Sequence, residues 1–319
     1  MPTTIDIASH KVGLGEVKEI YLKIARLPTY TNINFPVHVY RGKEDGPVLL
    51  LTGGLHGDEL NGIELIRRMI NNGDIRPDRG TVIAVPLVNA YGFLQSERGV
   101  PDGKDINRSF PGSKSGSLAM LIAHKLMKDI IPQIDYGIDF HTGGASRSNY
   151  PQIRCTFKVP ENLELAKAFA PPMILNSSLI DKSFRKAAHK KKKHILVYEA
   201  GESLRFAENA IMEGVAGTLR LMKHLDMIDN APKQSEPTII YHKSTWIRAK
   251  FAGMFNSEIE LGDEIYRKQK LGYIAEPFGH EEFNILSPRS ARVIGLNYSP
   301  VVHKGDALMH IAYDSEEIE

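Results

Sequence analysis

The chain has 319 residues, a formal net charge of +2 and a single cysteine, Cys155. A charge this close to zero argues against nucleic acid or an anionic membrane as a partner. One cysteine excludes an intramolecular disulfide and a thiolate-rich zinc site, and fits a reduced, cytoplasmic setting. The length suggests about two domains, the opening MPTTIDIASHKVG lacks the apolar core of a signal peptide, and no apolar run approaches the ~20 residues of a membrane span.

In chain order, residues 37–40 read as a strand, the polar stretch 41–47 as a turn, and the apolar run 48–52 as a buried strand. Leu60, Ile63, Ile66, Met69 and Ile70 then recur at mostly three- and four-residue steps, which predicts a helix, and Asn71-Asn72-Gly73 ends it. Residues 81–85 form the next strand and 117–128 a second amphipathic helix. Strands at 136–140 and 194–198 deliver His141 and Glu199, and a long helix at 203–227 closes this part. Alternating strands and helices predict an α/β sheet with helices on both faces. Candidate functional residues stand just after strand ends, where such sheets place their sites.

The segment Asn230-Ala231-Pro232-Lys233-Gln234-Ser235-Glu236-Pro237 is polar and aperiodic. It reads as a linker at 231–238 between a first domain, 1–230, and a second, 239–319. Beyond it a weak repeat recurs. Ala252-Gly253-Met254, Gly262-Asp263-Glu264-Ile265 and Ile274-Ala275 are echoed by Ile294-Gly295-Leu296, Gly305-Asp306-Ala307-Leu308 and Ile311-Ala312. Two such halves of short strands suggest a small all-β barrel or sandwich.

His56 and Glu59, three residues apart after the buried strand, can face one point and offer a nitrogen and a carboxylate oxygen, a set that suits zinc. His141 supplies a third donor at another strand end. Three protein ligands leave a fourth position open, which distinguishes a catalytic from a structural zinc site. The plainer alternatives are a polar helix start favoured by the dipole for His56 and Glu59, and a buried histidine bonded to backbone for His141. Asp105-Ile106-Asn107-Arg108 could be a surface loop. Equally, Asn107 and Arg108 suit a substrate carboxylate, and Asp105 could accept the free ring N–H of a zinc histidine. Arg98 could face a developing oxyanion. Glu199, at the mouth of an apolar strand, is a candidate general base. The basic run His189-Lys190-Lys191-Lys192-Lys193-His194 reads as a solvated helix end, because no aromatics interleave it.

Gly54-Leu55-His56-Gly57-Asp58-Glu59, Asp105-Ile106-Asn107-Arg108, Asp139-Phe140-His141 and Glu199 together resemble the succinylglutamate desuccinylase/aspartoacylase family, a branch related to zinc carboxypeptidases. The resemblance implies a mixed-sheet α/β domain that hydrolyses the amide of an N-acyl amino acid or similar small compound. It implies one zinc ion on His56, Glu59 and His141, and a water activated by zinc and Glu199 whose proton passes to the leaving amine. It also implies Arg98 as oxyanion stabiliser, Asn107 and Arg108 as carboxylate clamp, and Asp105 as partner of His56. The C-terminal part is similar to the barrel-sandwich domain of some members, related to biotinyl and lipoyl domains. Its segment Phe278 to Arg289 has no lysine for a carrier group, so it reads as a rim, cap or oligomer contact. A homo-oligomer is expected, since a small β unit would expose strand edges. Two other readings stay open: a zinc carboxypeptidase or peptide amidase, and a non-catalytic metal-binding protein.

Overall fold

The apolar run before His56 becomes the centre of a large sheet. The computed structural model describes residues 4–26 and 29–317. A hairpin of β1 (Ile5–Ile7) and β2 (His10–Val12) leads to β3 (Val17–Arg26) and β4 (Asn32–Arg41). Then follow β5 (Glu44–Thr52), α1 (Leu60–Asn72), β6 (Arg79–Val85), α2 (Ala90–Gln95), α3 (Leu118–Lys125) and β7 (Tyr136–Gly143). Next come β8 (Arg147–Cys155), α4 (Pro160–Phe169), β9 (Met173–Asn176), α5 (Phe184–Lys190), β10 (His194–Glu202) and α6 (Glu208–His224). The remainder is strand: β11 (Ile239–Arg248), β12 (Gly253–Ser257), β13 (Glu264–Ile265), β14 (Lys270–Ala275), β15 (Glu282–Leu286), β16 (Ala291–Asn297), β17 (Val301–Val302) and β18 (Ala307–Glu317).

Twelve strands join in the order β13-β16-β18-β11-β9-β8-β10-β7-β5-β6-β4-β3. The middle is parallel: β5 pairs with β6 and β7, and β7 with β10. Antiparallel pairs flank it, so the sheet is mixed. Side chains alternate along β5. Val48 and Leu50 enter one apolar core with residues of α3 and α5, while Leu49 and Leu51 enter another with residues of α1, α4 and α6. A strand buried on both faces reads as a continuous apolar run for this reason. The chain leaves β5 for β6 on one side and returns to β7 on the other, which opens a crevice at the C-terminal end of β5.

The predicted α1 ends as read, with Gly73 in the left-handed region donating its N–H to Ile70. Three boundaries differ from expectation. β5 starts at Glu44, because residues of the supposed turn already pair with β6. The second helix gives way after Lys125 to a π turn over Leu126–Ile130. The last helix starts only at Glu208, since the N–H groups of Ser203 and Leu204 are drawn to Gly143 and Asp58 instead. Cys155 is fully buried and burial pushes its thiol up to about 12, so it packs as an apolar residue.

The C-terminal strands form two layers around one core that includes Phe255, Leu271, Ile274, Val293, Leu308 and Ile311. One layer is the four-stranded sheet β15-β14-β12-β17; the other is the end of the twelve-stranded sheet. The repeat is visible as two equivalent turns. Asp263 and Asp306 each accept the N–H three residues back, from Glu260 and His303, beside Gly262 and Gly305 at φ +91° and +97°. These strands do not stand apart from the first 230 residues: β11 pairs with β9, and β16 with β8. Among the described residues no helix is long and apolar enough to cross a membrane.

Candidate active site

His56 and Glu59 sit on the loop between β5 and α1. The loop threads tightly past α2: a Cβ on Gly57 would lie 2.0 Å from the Gly92 carbonyl carbon, so only glycine fits. The Gly57 N–H donates to the Arg98 carbonyl, and Asn89 Nδ2 donates to the same oxygen at 3.2 Å, which ties the ligand loop to the Arg98 segment. Glu59 precedes the first helical residue, yet its side chain caps no N–H of α1. It turns instead between two imidazoles.

The donor atoms of His56, Glu59 and His141 lie within 4.8 Å of one another, all buried. Glu59 Oε1 is 2.8 Å from His56 Nδ1 and Oε2 is 2.8 Å from His141 Nδ1, with the Thr142 N–H donating to Oε2 at 3.1 Å. The two Nδ1 atoms face each other at 3.2 Å. Each far nitrogen meets a carboxylate: His56 Nε2 is 3.2 Å from Asp105 Oδ1, and His141 Nε2 is 2.7 Å from Asp139 Oδ2. If each Nε2 donates its hydrogen outward, both Nδ1 lone pairs point at one spot beside a carboxylate. A cation resolves that arrangement, and carboxylate-backed histidines are the usual way to present one. Two nitrogens and a carboxylate oxygen therefore fit a zinc ion.

Electrostatics follow from burial and pairing. Burial alone would push Glu59 up, but His56 and His141 outweigh it and hold it well below the usual carboxylate range. Burial opposes charge on His141, yet Asp139 and Glu59 hold its pKa well above the ordinary value.

Glu199 faces this group because β10 lies beside β7, with Glu199 opposite His141 in the register. Together these residues line a cavity of about 260 Å³. Arg98, half-exposed, donates to Glu59 Oε1 at 3.1 Å and to Asp105 Oδ2 at 3.0 Å. Asp105 also accepts the Asn107 N–H at 2.7 Å. Asn107 and Arg108 line the cavity, but Asn107 Oδ1 accepts the Phe184 N–H at 2.9 Å, leaving only its Nδ2 for a ligand. Arg108 is exposed, and its Nη1 donates to the Asn107 backbone.

Several lining residues escaped the sequence reading. Asp139, quoted in the motif Asp139-Phe140-His141 but given no role, stands two residues before His141 on one strand, hence on the same face, and that spacing was a usable signal. Arg147, Arg154, Arg185 and Trp246 also line the cavity, and no local pattern marks them. Arg185 is 7% exposed and donates to the carbonyls of Arg154, Ser177 and Ser178. Arg147 donates to the Gly144 carbonyl and lies over the Trp246 ring. Among the described residues, Arg108, Arg147 and Arg185 have no carboxylate at ion-pair distance.

Comparison with known proteins agrees with this geometry. The family model described as the succinylglutamate desuccinylase/aspartoacylase catalytic domain matches residues 45–225, more than half of the chain. An N-alpha-acetyl-L-2,4-diaminobutyric acid deacetylase from Halomonas elongata is 25% identical over 294 residues, which cover 88% of this chain and 86% of that protein. A succinylglutamate desuccinylase/aspartoacylase structure from Rhodobacter sphaeroides superposes with a TM-score of 0.84 at 25% identity, covering 95% of this chain and 96% of that one. The product-bound structure of the ectoine utilization protein EutE from Ruegeria pomeroyi superposes with a TM-score of 0.83 at 21% identity, covering 93% and 94%, and so shares the fold.

Proposed function

The chain belongs to the succinylglutamate desuccinylase/aspartoacylase family, and from that membership we propose that it is a zinc-dependent deacylase cleaving the amide of a small N-acyl amino acid or similar compound. The observation that carries the reading is the convergence of His56, Glu59 and His141, with His141 directly across the register from Glu199. A zinc ion on those three ligands would supply Lewis acidity at the amide carbonyl and lower the pKa of water at its open position to about 7.

The remaining work falls to the chain. Glu199 takes a proton from the attacking water and returns it to the amine nitrogen as the C–N bond breaks, giving a carboxylic acid and a free amine. Arg98 spends three of its five N–H groups on Glu59 and Asp105; the other two serve the oxyanion that develops on the carbonyl. Asp105 and Asp139 keep the imidazoles in the tautomer that offers Nδ1. Asn107 Nδ2 and Arg108 bind a substrate carboxylate, helped by Arg147 and Arg185. Guanidinium groups without a carboxylate partner around a cavity favour an anionic substrate.

The test is amine release by the zinc-loaded protein from a panel of N-acyl amino acids and dipeptides, with Glu199→Gln beside it. N-acetyl-2,4-diaminobutyrate belongs on the panel because the Halomonas relative is named for it. Release from an N-acyl amino acid, lowered by about 10²–10⁴-fold in the variant with zinc retained, is the expected outcome. Release from dipeptides alone would replace the deacylase reading with a peptidase. Equal behaviour of wild type and variant would remove the catalytic reading.

A further inference from the structure

Both oxygens of the Glu199 carboxylate are held by side chains of β8. Asn149 Nδ2 donates to Oε2 at 2.7 Å, and Arg154 Nη1 lies 3.4 Å from Oε1. Each of these holders is backed in turn by β16, a strand more than a hundred residues further along. Asn149 stands opposite Gly295 in the β8–β16 ladder, and a Cβ on Gly295 would lie 3.1 Å from Asn149 Oδ1. On the other side, Arg154 Nε donates to Gln152 Oε1 at 3.2 Å. Gln152 Nε2 donates to the carbonyls of Ile294 at 3.1 Å and Tyr150 at 3.0 Å. Gln152 is 1% exposed. With its amide nitrogen facing two carbonyls, its oxygen has to face Arg154, so the direction of the amide is settled by its neighbours.

The backbone at Glu199 does not do this job by itself. β10 breaks register with both neighbours after Glu199, and Gly201 takes φ +73°. A glutamate beside such an irregularity, with three rotatable bonds, needs side-chain partners to hold its carboxylate in one direction in the cavity it shares with His56, Glu59 and His141. We propose that β16 is a positioning element for the general base, acting through Gly295–Asn149 on one carboxylate oxygen and Ile294–Gln152–Arg154 on the other. Asn149 and Gln152 are positioning residues in this account, and the C-terminal strands contribute to catalysis by the way they bond to β8. The proposal rests on Glu199 being the base of a hydrolase.

The experiment uses the full zinc-loaded chain and the best substrate from the panel, with Gln152→Met and Gly295→Ala as variants. Methionine keeps the length of glutamine and none of its hydrogen bonds; alanine places a Cβ 3.1 Å from Asn149 Oδ1 and from His310 Cβ, and so presses on Asn149 from the opposite side. A shift of about 1 Å in a catalytic group can cost ~10²-fold in rate, so kcat for Gln152→Met is expected to fall toward that extent with KM and zinc content unchanged. Emission of Trp246, the sole tryptophan, stacked on His310 in the cavity wall, checks that the wall remains intact. In a Glu199→Gln background the same substitutions are expected to cost nothing further, because groups acting as a unit are non-additive. Unchanged kcat in both variants, or losses that add fully to that of Glu199→Gln, would overturn the proposal. Should the wild type release no amine from any compound, the hydrolase reading fails by itself. Crystal structures of wild type and Gln152→Met then decide the positioning: a carboxylate turned away from its wild-type direction supports it, and an unmoved one overturns it.

Discussion

Removing the Asp139 carboxylate is expected to weaken zinc binding more than removing Asp105, although both back a histidine ligand. Asp139 is 1% exposed and accepts from His141 Nε2 at 2.7 Å, while its other oxygen accepts from Thr52 Oγ1 at 2.7 Å. Solvent has no access to replace it. Asp105 is closer to the surface, and its contact with His56 is longer, at 3.2 Å. Loss of such a partner typically costs about 10–100-fold in metal affinity, or about 1.4–2.7 kcal/mol. Asp139→Ala loses both orientation and charge and is placed at the upper end. Asp139→Asn separates the two effects. Its amide oxygen can still accept from Nε2 while its nitrogen donates to Thr52, so only the charge is lost, for about a tenfold weakening. The assay is competition against a chelator of known affinity at fixed pH and salt, with melting of the metal-free proteins as a control for folding. Zinc affinity of Asp139→Ala equal to wild type, or a larger loss in Asp105→Ala, would refute the argument.

Two further outcomes concern protons. In the metal-free protein burial opposes charge on His141, but Asp139 and Glu59 hold its pKa well above the ordinary value, and Glu59 and Asp105 raise His56 against the same opposition. Zinc has to displace those protons, so uptake near neutral pH should release protons and affinity should rise with pH. Calorimetry in buffers of different ionisation enthalpy measures the release, and finding none would contradict the site electrostatics. His310 behaves oppositely: burial, with Arg154 nearby, pushes it down to about 3, and its buried Nδ1 has no partner. Between its ordinary value of 6.5 and about 3 the unfolded chain holds a proton that the folded chain lacks. The stability it contributes is therefore complete above that window and lost as pH falls through it, with an upper bound of roughly 5 kcal/mol. His310→Phe keeps a ring stacked on Trp246 and removes the titration. Its melting temperature should decline less steeply with acid than that of the wild type, and parallel declines would count against the assignment.

What was legible in advance was local. The run 48–52 reads as a buried strand because four apolar residues and a threonine in succession suit both faces of a covered sheet. Helix α1 reads from its three- and four-residue spacing and from the glycine that ends it. His56 and Glu59 are neighbours on one loop, so their partnership needs no distant contact. His141 and Glu199 stand out because each follows a segment that reads as a strand. β8 escaped notice for the opposite reason. Its sequence, RSNYPQIRC, mixes arginines, amides and a proline and resembles a surface segment. Asn149 and Gln152 are buried only because β9, β10 and β16 pair with that strand. The linker expected at 231–238 likewise gave no sign that strands beyond it would bond to β8 and β9.

From its sequence alone, this protein's central strands, its first helix and the donor chemistry of its proposed metal ligands are determined, since periodicity, turn residues and ligand type act over a few residues. That Asp139 backs His141, which arginines enter the cavity without a carboxylate partner, and what holds the Glu199 carboxylate were decided by tertiary structure. Those contacts join residues such as Asn149 and Gly295, far apart along the chain. The side chains of Asn149 and Gln152 are polar, and only burial by the assembled sheet gives each of them a required partner.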